Sequence, residues 1–428
     1  MREGLKSKIG RREFIGTAAA VTTGLTILKP GQIRGTAANS AVGLGILGCG
    51  GRGTAVGTGF VDNTNTRVVA LADLFADQLA AAQKHFDELQ SKKDYPPISS
   101  TQLFKGTRAS EQILASKEVD AILVSTPPYF HTQHLEAVLA AGKHVYLEKP
   151  VAVDVPSAKR VIQAGEKLQG KVSLAVGFQI RKAPPFVELV RRIQGGALGK
   201  IGCGLAYYYC PHIDRPEWPS ASQEEKRMRN WVWDRILSGD IIVEQNIHVI
   251  DICNWLLQGH PVKAVGSGSR KLREDAGNCY DNFNLVFTYP NDVEVSFGST
   301  QFNKHQFDAA VRFFGSRGST EAHYDHRMSI SGEEPWDAGL GPSQAGDQFS
   351  AAGSFRGSLD QADPEKQKSF IESITSGKHI NEAAQGAETA LSCMLGRTAA
   401  YTGNLVTWEQ LMKSKEVYDP KIDLNKLG

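Results

Sequence analysis

From residue 42 to about 178, short unbroken apolar runs alternate with stretches whose apolar residues recur at helical spacing. The runs at 42–48, 67–72, 121–124, 144–147 and 172–178 are bounded by Gly, Pro, Ser or Asp, as strands buried on both faces of a parallel sheet require. Helices are predicted between them at 78–89, 110–116, 131–141 and 154–168; in the third, Leu135, Val138 and Leu139 share a face and Gly142 supplies the stop. Residues 91–107 are polar and proline-broken, which predicts a loop with a short third strand. Beyond 178 a helix over 185–194 precedes runs of strands at 201–210, 262–272, 283–289, 293–300, 309–314 and 319–324, with hairpin turns at 289–292 and 315–318. A polar excursion, 211–229, and an apolar helix, 243–257, interrupt these strands, and the Gly-, Ser- and Gln-rich stretch 339–357 reads as an exposed loop. A last helical pair, 366–376 and 382–402, is expected to return to the first domain.

The pattern predicts a doubly wound α/β Rossmann domain over 41–178, an α+β domain over 179–380, and a C-terminal helix and tail over 381–428 packing back on the first. Residues 1–40 read as an address. Arg11 and Arg12 precede a mildly apolar stretch, 17–28, and small residues near 36–38, an order that resembles a twin-arginine export signal. The stretch falls short of the roughly 20 apolar residues of a membrane span, so export by the twin-arginine machinery to the periplasm is the expectation.

Charge narrows the partners. With 48 basic and 46 acidic residues among 428, the net charge of +2 gives no electrostatic case for nucleic acid or an anionic membrane surface, and a small molecule is the expected partner. Six cysteines show no CxxC pair and no zinc-like spacing with histidine, so no metal is expected.

The first strand runs directly into Gly48-Cys49-Gly50-Gly51-Arg52-Gly53, a full GxGxxG opening a helix. Glycines there permit a tight turn and close approach of backbone to a pyrophosphate, which the helix N-terminus then attracts. The second strand ends at Asp73, near the spacing of roughly 20 residues at which an acid binds the ribose hydroxyls. Asp73 would repel a 2'-phosphate and Leu74-Phe75 offers no cation, which favours NAD over NADP. A plainer role for Asp73 is the N-cap of the helix over 78–89, and both roles are compatible. At the same sheet edge, Glu148-Lys149-Pro150 follows the strand 144–147, and ligands bind at that edge in open parallel sheets.

GILGCGGRG at 45–53, VSTPPYFH at 124–131, GKHVYLEKP at 142–150 and GRTAAYTGNLVTWEQL at 396–411 together resemble the Gfo/Idh/MocA oxidoreductase family. The resemblance implies a Rossmann domain followed by an α+β domain with a large, open, mostly antiparallel sheet that can join copies into a homo-oligomer, a nicotinamide in the cleft, and sugars, inositols or related polyols as substrates. It also implies cofactor contacts from Arg52, Thr126, Pro127, His131, Glu148, Lys149 and Gln179, and substrate contacts from Lys149, Arg181, Glu244 and His248. The last two stand where the family usually carries D-x-x-x-H, with glutamate replacing aspartate.

Oxidising a secondary alcohol removes hydride from carbon while a base takes the hydroxyl proton, and a histidine suits that base. On one helix, Glu244 and His248 would share a face and the carboxylate could orient the ring. Lys149 could hold the substrate oxygen and stabilise its developing charge; which of Lys149 and His248 takes the proton stays open. The bland alternatives are a surface lysine and a core histidine. Trp231 is expected to offer its ring to a sugar face, whereas alternation along 207–209 assigns at least one of the three tyrosines to ordinary packing, and His323 and His326 are expected to face solvent. The expected activity is an exported NAD-dependent dehydrogenase acting on CH–OH groups; a redox-neutral glycoside hydrolase or lyase with retained NAD, and a non-catalytic sugar-binding protein, are the alternatives.

Overall fold

The computed structural model describes residues 40–427 except 215, 275–276, 305–306, 325–326 and 342–358. The expected export signal, His326 and residues 342–357 of the expected loop lie outside the described residues.

The first domain is a six-stranded parallel sheet in the order β3-β2-β1-β4-β5-β6. Its elements run β1 Val42–Leu47, α1 Gly51–Asn63, β2 Thr66–Asp73, α2 Ala76–Ser91, β3 Leu103–Lys105, α3 Ala109–Ala115, β4 Ala121–Val124, α4 His131–Ala140, β5 His144–Leu147, α5 Val155–Glu166 and β6 Leu174–Val176. Every residue of β1, β4 and β6 is buried, which is why these strands read as unbroken apolar runs. Local chemistry sets the ends: Asp154 caps α5 by accepting from Ser157 N at 2.8 Å, with Pro156 in the first turn.

The second domain opens with α6 Pro184–Gln194 and β7 Ile201–Pro211, continues through α7 Gln223–Arg229, α8 Arg235–Ser238, α9 Ile241–Glu244 and α10 Ile247–Leu257, and then forms β8 Lys263–Ser269, β9 Asn282–Tyr289, β10 Val293–Asn303, β11 Asp308–Gly315, β12 Gly318–His323, β13 Met328–Gly332 and β14 Trp336–Asp337. These strands and β15, Val406–Thr407, make a nine-stranded sheet in the order β14-β13-β12-β11-β7-β10-β9-β8-β15. Only the central β7–β10 pair is parallel, so the sheet is mostly antiparallel as anticipated. The strands β13, β14 and β15 went unread: the last two are two residues long, too short to show a period.

One face of this sheet packs on α10 and α12 Ala383–Thr402. The other is left open. Register places Val265, Val286, Ser296, Leu205, Arg312 and Glu321 side by side across six strands of that open face. Tyr207 and Tyr209 stack there with ring centroids 4.9 Å apart, while Tyr208 points into the core. His323 does not face solvent: it is buried between Asp308 Oδ1 at 3.1 Å and Glu321 Oε1 at 2.8 Å. Being flanked by two carboxylates outweighs burial and raises its pKa above the ordinary histidine value, although desolvation alone would lower it.

The chain returns to the first domain earlier than residue 381. In α11, Ala362–Thr375, Phe370 packs edge-on against Phe60 and Tyr146, and Gln367 accepts from Asn63 at 2.9 Å. The terminal segment is then shared: β15 extends the second sheet, α13 Trp408–Met412 follows, and Tyr418 N–H donates to Asp154 at 3.0 Å.

Candidate functional site

The loops after β1, β2, β4 and β5 meet at one edge of the parallel sheet. Gly48 sits at φ +96°, where a Cβ would lie 2.7 Å from the Ser125 carbonyl carbon and oxygen, so only glycine lets the two loops touch. A Cβ at Gly53 would lie 2.0 Å from Gly48 O and 2.4 Å from Ser125 Oγ, so this glycine serves the packing of α1 on the turn. Around Gly50 and Gly51, by contrast, a Cβ would meet nothing within 4 Å. That open cradle at the N-terminus of α1 fits a pyrophosphate, and it is where NAD would be held.

Asp73 ends β2. Its Oδ2 accepts from Cys49 N at 2.7 Å and its Oδ1 from Phe75 N at 2.8 Å, so the carboxylate spans the glycine turn and its own loop. Phe75, not Asp73, occupies the N-cap position of α2. Burial raises the Asp73 pKa above the ordinary carboxylate value, opposed by the two N–H groups.

Thr126 and Pro127 line the cleft beside Gly48, Gly50 and Asp73. His131 does not join them. Its ring is buried, with Nδ1 2.7 Å from Pro150 O and Nε2 2.7 Å from Thr126 O; burial holds its pKa down to about 4, so the neutral ring has one N–H to donate to one of these carbonyls, and it braces the loops after β4 and β5. His134 does line the cleft, with Nδ1 3.0 Å from Thr126 Oγ1, and burial takes it to about 3.

At the end of β5, Glu148 is buried and its Oε1 lies 3.1 Å from Arg52 Nη2. Arg52 also reaches Asp363 at 3.3 Å. Burial opposes the Arg52 charge, but the two carboxylates raise its pKa further. Lys149 extends from the same strand end and donates to Glu244 O at 2.6 Å and Glu244 Oε1 at 2.8 Å, with both side chains largely buried.

The single helix expected over 243–257 is corrected to two, α9 and α10. Asn246 N–H reaches back five residues to Ile241 O at 2.9 Å, so the hydrogen-bond ladder slips at Gln245 and Asn246. Spacing of four therefore no longer places Glu244 and His248 on one face, and Glu244 turns to Lys149 instead. His248, in the first turn of α10, packs edge-on to Phe178 at 6.3 Å. Burial, then the charges of Lys149 and Arg52, drive its pKa well below the ordinary histidine value.

Two further expectations change. Arg181 donates to both oxygens of Asp251, at 2.8 and 2.9 Å, and lies 5.3 Å from the Trp255 ring; Thr389 completes the cluster at 2.8 Å from Asp251. It is a tie between elements of the second domain, not a group presented to a substrate. Trp231 lines the Asp73 cleft, which Lys149, Glu244 and His248 do not line, so its ring is offered to the cofactor side rather than to a sugar. Asp251 stands with Arg181, and among the described residues no group of His, Cys, Asp and Glu could hold a metal.

Some polar atoms await a partner. The buried amide of Asn246 has neither its oxygen nor its nitrogen bonded, and Gln179 Oε1 and Gln245 Oε1 are likewise without a partner. Unsatisfied buried polar groups cost about 1–3 kcal/mol each, and these three amides lie within two residues of Phe178, Glu244 or His248 in the chain. Gln245 and Asn246 carried no signal in the sequence, because their meaning depends on the slip in the helix.

Residues 42–178 match the oxidoreductase family with an NAD-binding Rossmann fold, and residues 186–321 match the GFO/IDH/MocA C-terminal domain. An inositol 2-dehydrogenase from Rhizobium meliloti (strain 1021) is 24% identical over 293 residues, 68% of this chain and 78% of that one. A myo-inositol 2-dehydrogenase from Thermotoga maritima is 22% identical over 277 residues, 64% of this chain and 73% of its own. Among solved structures, aldose-aldose oxidoreductase from Caulobacter crescentus complexed with glycerol superposes with a TM-score of 0.65 at 19% identity, covering 86% of this chain and 99% of that one. Levoglucosan dehydrogenase in complex with NADH and levoglucosan gives 0.65 at 18% identity, covering 86% and 100%.

Proposed function

Because the chain belongs to the Gfo/Idh/MocA family of NAD-binding oxidoreductases, we propose that it is an exported NAD-dependent dehydrogenase acting on a secondary hydroxyl of a sugar, glycoside or cyclic polyol. The observation that carries this is the Lys149–Glu244 pair at the carboxyl edge of the parallel sheet, with a neutral, buried His248 within reach of the Lys149 charge. Relatives named for inositol and a neighbouring structure bound to levoglucosan support the substrate class.

The cradle of Gly48, Gly50 and Gly51 would hold NAD, which would supply the hydride acceptor. Lys149 spends two donors on Glu244 and keeps a third N–H for a substrate oxygen, where its charge stabilises the negative charge that develops as the proton leaves. His248, held neutral by burial and by the charges of Lys149 and Arg52, is the group assigned to accept that proton. Glu244 acts through Lys149 as a positioning residue.

NAD is favoured over NADP by Asp73 and by the charge around it. Among the described residues lining the cleft, Arg229 is the only Arg or Lys, and Asp77 and Glu225 already hold it. The Arg11-Arg12 pair supports export to the periplasm by the twin-arginine machinery. Leu205, Tyr209, Val265 and Phe314, each about two-fifths exposed on the open sheet face, support association with a second copy of this chain.

The test is to denature the purified protein, identify released nicotinamide by mass spectrometry, and follow nicotinamide absorbance with a panel of polyols and glycosides. Lasting reduction by a polyol or sugar supports the dehydrogenase; glycoside cleavage with no lasting change in absorbance would replace it with a redox-neutral hydrolase.

A further inference from the structure

The cleft beside Asp73 has a roof. Its floor is the first domain's Gly48, Asp73, Phe75 and Thr107; its cover is Trp218, Arg229 and Trp231 from the second domain's excursion, with Leu424 from the C-terminal tail. The cleft, open on one side, has a volume of about 340 Å³, closer to a nucleoside than to a whole dinucleotide.

Arg229 joins roof to floor. Its Nη1 and Nη2 lie 2.9 and 3.0 Å from the two oxygens of Asp77 in the first turn of α2, and its Nε lies 2.8 Å from Glu225. The guanidinium carbon is 3.8 Å from the Phe75 ring centroid and 4.3 Å from that of Trp218. The roof is anchored behind this point as well: Arg227 pairs with Asp234 at 2.8 Å and donates to Pro420 O of the tail at 2.9 Å, and Met228 packs in one cluster with Phe75, Phe130, Leu237 and Leu427. A planar cation held by two carboxylates and two rings resists sliding, since each contact constrains the same group in a different direction.

We infer that residues 216–231 cover the adenosine half of the cofactor and that Arg229 is the latch, so that the dinucleotide leaves only when the Arg229–Asp77 pair parts from the Phe75 loop. This rests on the NAD-binding reading above and deepens it: the cofactor is resident rather than exchanged at each turnover, and the NADH formed passes its hydride in place to the carbonyl carbon of a second, oxidised sugar or ketone, whose oxygen takes up a proton. The latch also spends Arg229 on Asp77 and Glu225, leaving no Arg or Lys among the described residues lining the cleft for a second phosphate on the ribose.

The experiment loads the full-length protein with NAD, removes free dinucleotide by desalting, and measures the dissociation rate by mass spectrometry of what remains bound. Energy transfer from tryptophan to bound NADH reports occupancy independently. Asp77→Asn and Arg229→Ala are each expected to raise the dissociation rate by about ten-fold or more, as most interface changes act on off-rates, while the thermal midpoint of the NAD-free protein stays near wild type. Trp218→Leu should reduce energy transfer. Asp77 is half exposed at 50%, so its variant disturbs folding least and keeps the test open if Arg229→Ala fails to fold. Wild-type rates in both latch variants, with binding intact, would overturn the latch alone; no dinucleotide binding by the wild-type protein would overturn the NAD reading and the latch with it.

Discussion

Lys149 reaches across 95 residues of sequence to hold Glu244 twice, through the backbone carbonyl at 2.6 Å and the carboxylate at 2.8 Å. The contact welds the end of a Rossmann strand to the last turn of a second-domain helix. Since both side chains are largely buried, the ammonium's position is set by the second domain rather than by its own strand.

Replacing Lys149 with Met should lower turnover by roughly two to four orders of magnitude, the range for a positioned acid–base or charge-stabilising group, while dinucleotide content stays at the wild-type level. Glu244→Gln keeps the backbone contact and should lose less. Steady-state rates paired with cofactor content by mass spectrometry check this, and an unchanged rate in Lys149→Met removes the lysine from the mechanism.

The two kinds of glycine in the turn should separate in mutation. Gly53→Ala drives a methyl group into Gly48 O and Ser125 Oγ and should destabilise the fold by about 1–3 kcal/mol, seen in urea unfolding. Gly50→Ala meets open space, so stability should hold while affinity for NAD falls by at least about ten-fold, because the methyl occupies the room the pyrophosphate needs.

Acid should unfold the protein through its buried neutral histidines. His131 and His134, lowered by burial to about 4 and about 3, bind a proton more readily unfolded, where the value is near 6.5. Their stability contribution is complete above pH about 6.5 and is lost as pH falls toward those folded values, at roughly 1.4 kcal/mol per pH unit for each ring. Asp240, raised by burial to about 6, works the other way: its contribution is present at low pH and is lost as pH rises through about 6. His134→Gln isolates one ring, and urea titrations at several pH values should show a shallower acid slope than wild type.

Asp251→Ala should cost about 3–5 kcal/mol in unfolding free energy, since it strands the Arg181 guanidinium, 19% exposed, without its carboxylate. KM of the protein that remains folded should hardly move. A large rise in KM without loss of stability would return Arg181 to the substrate site.

Under the proposed association of two copies through the open sheet face, Leu205→Glu with Phe314→Glu should lower the mass measured by light scattering at micromolar concentration to that of a monomer. Retention of the oligomer would move the interface elsewhere.

Much of this protein was legible without coordinates. The strands of the parallel sheet followed from continuous apolar runs punctuated by glycine and proline, because in a βα unit the strand, its turn and its covering helix are neighbours in sequence; their order in the sheet came from the structure. Lys149 could be placed at the carboxyl edge for the same reason: its position depends only on where β5 ends. What resisted was the pairing of side chains between elements, within the second domain as well as across the two. The spacing of Glu244 and His248 predicted a shared face, but the ladder slips at Asn246 and Glu244 is claimed by a lysine 95 residues away. Arg181 has its charge absorbed by Asp251, His323 is enclosed by Asp308 and Glu321, and the missing cation near Asp73 is supplied by Arg229, 152 residues beyond Asp77. Periodicity and turn chemistry are local free energies, readable from a few adjacent residues. The pairing of buried charges is decided only when packing brings distant elements into contact, since desolvation makes each charge take whatever partner the fold places within reach.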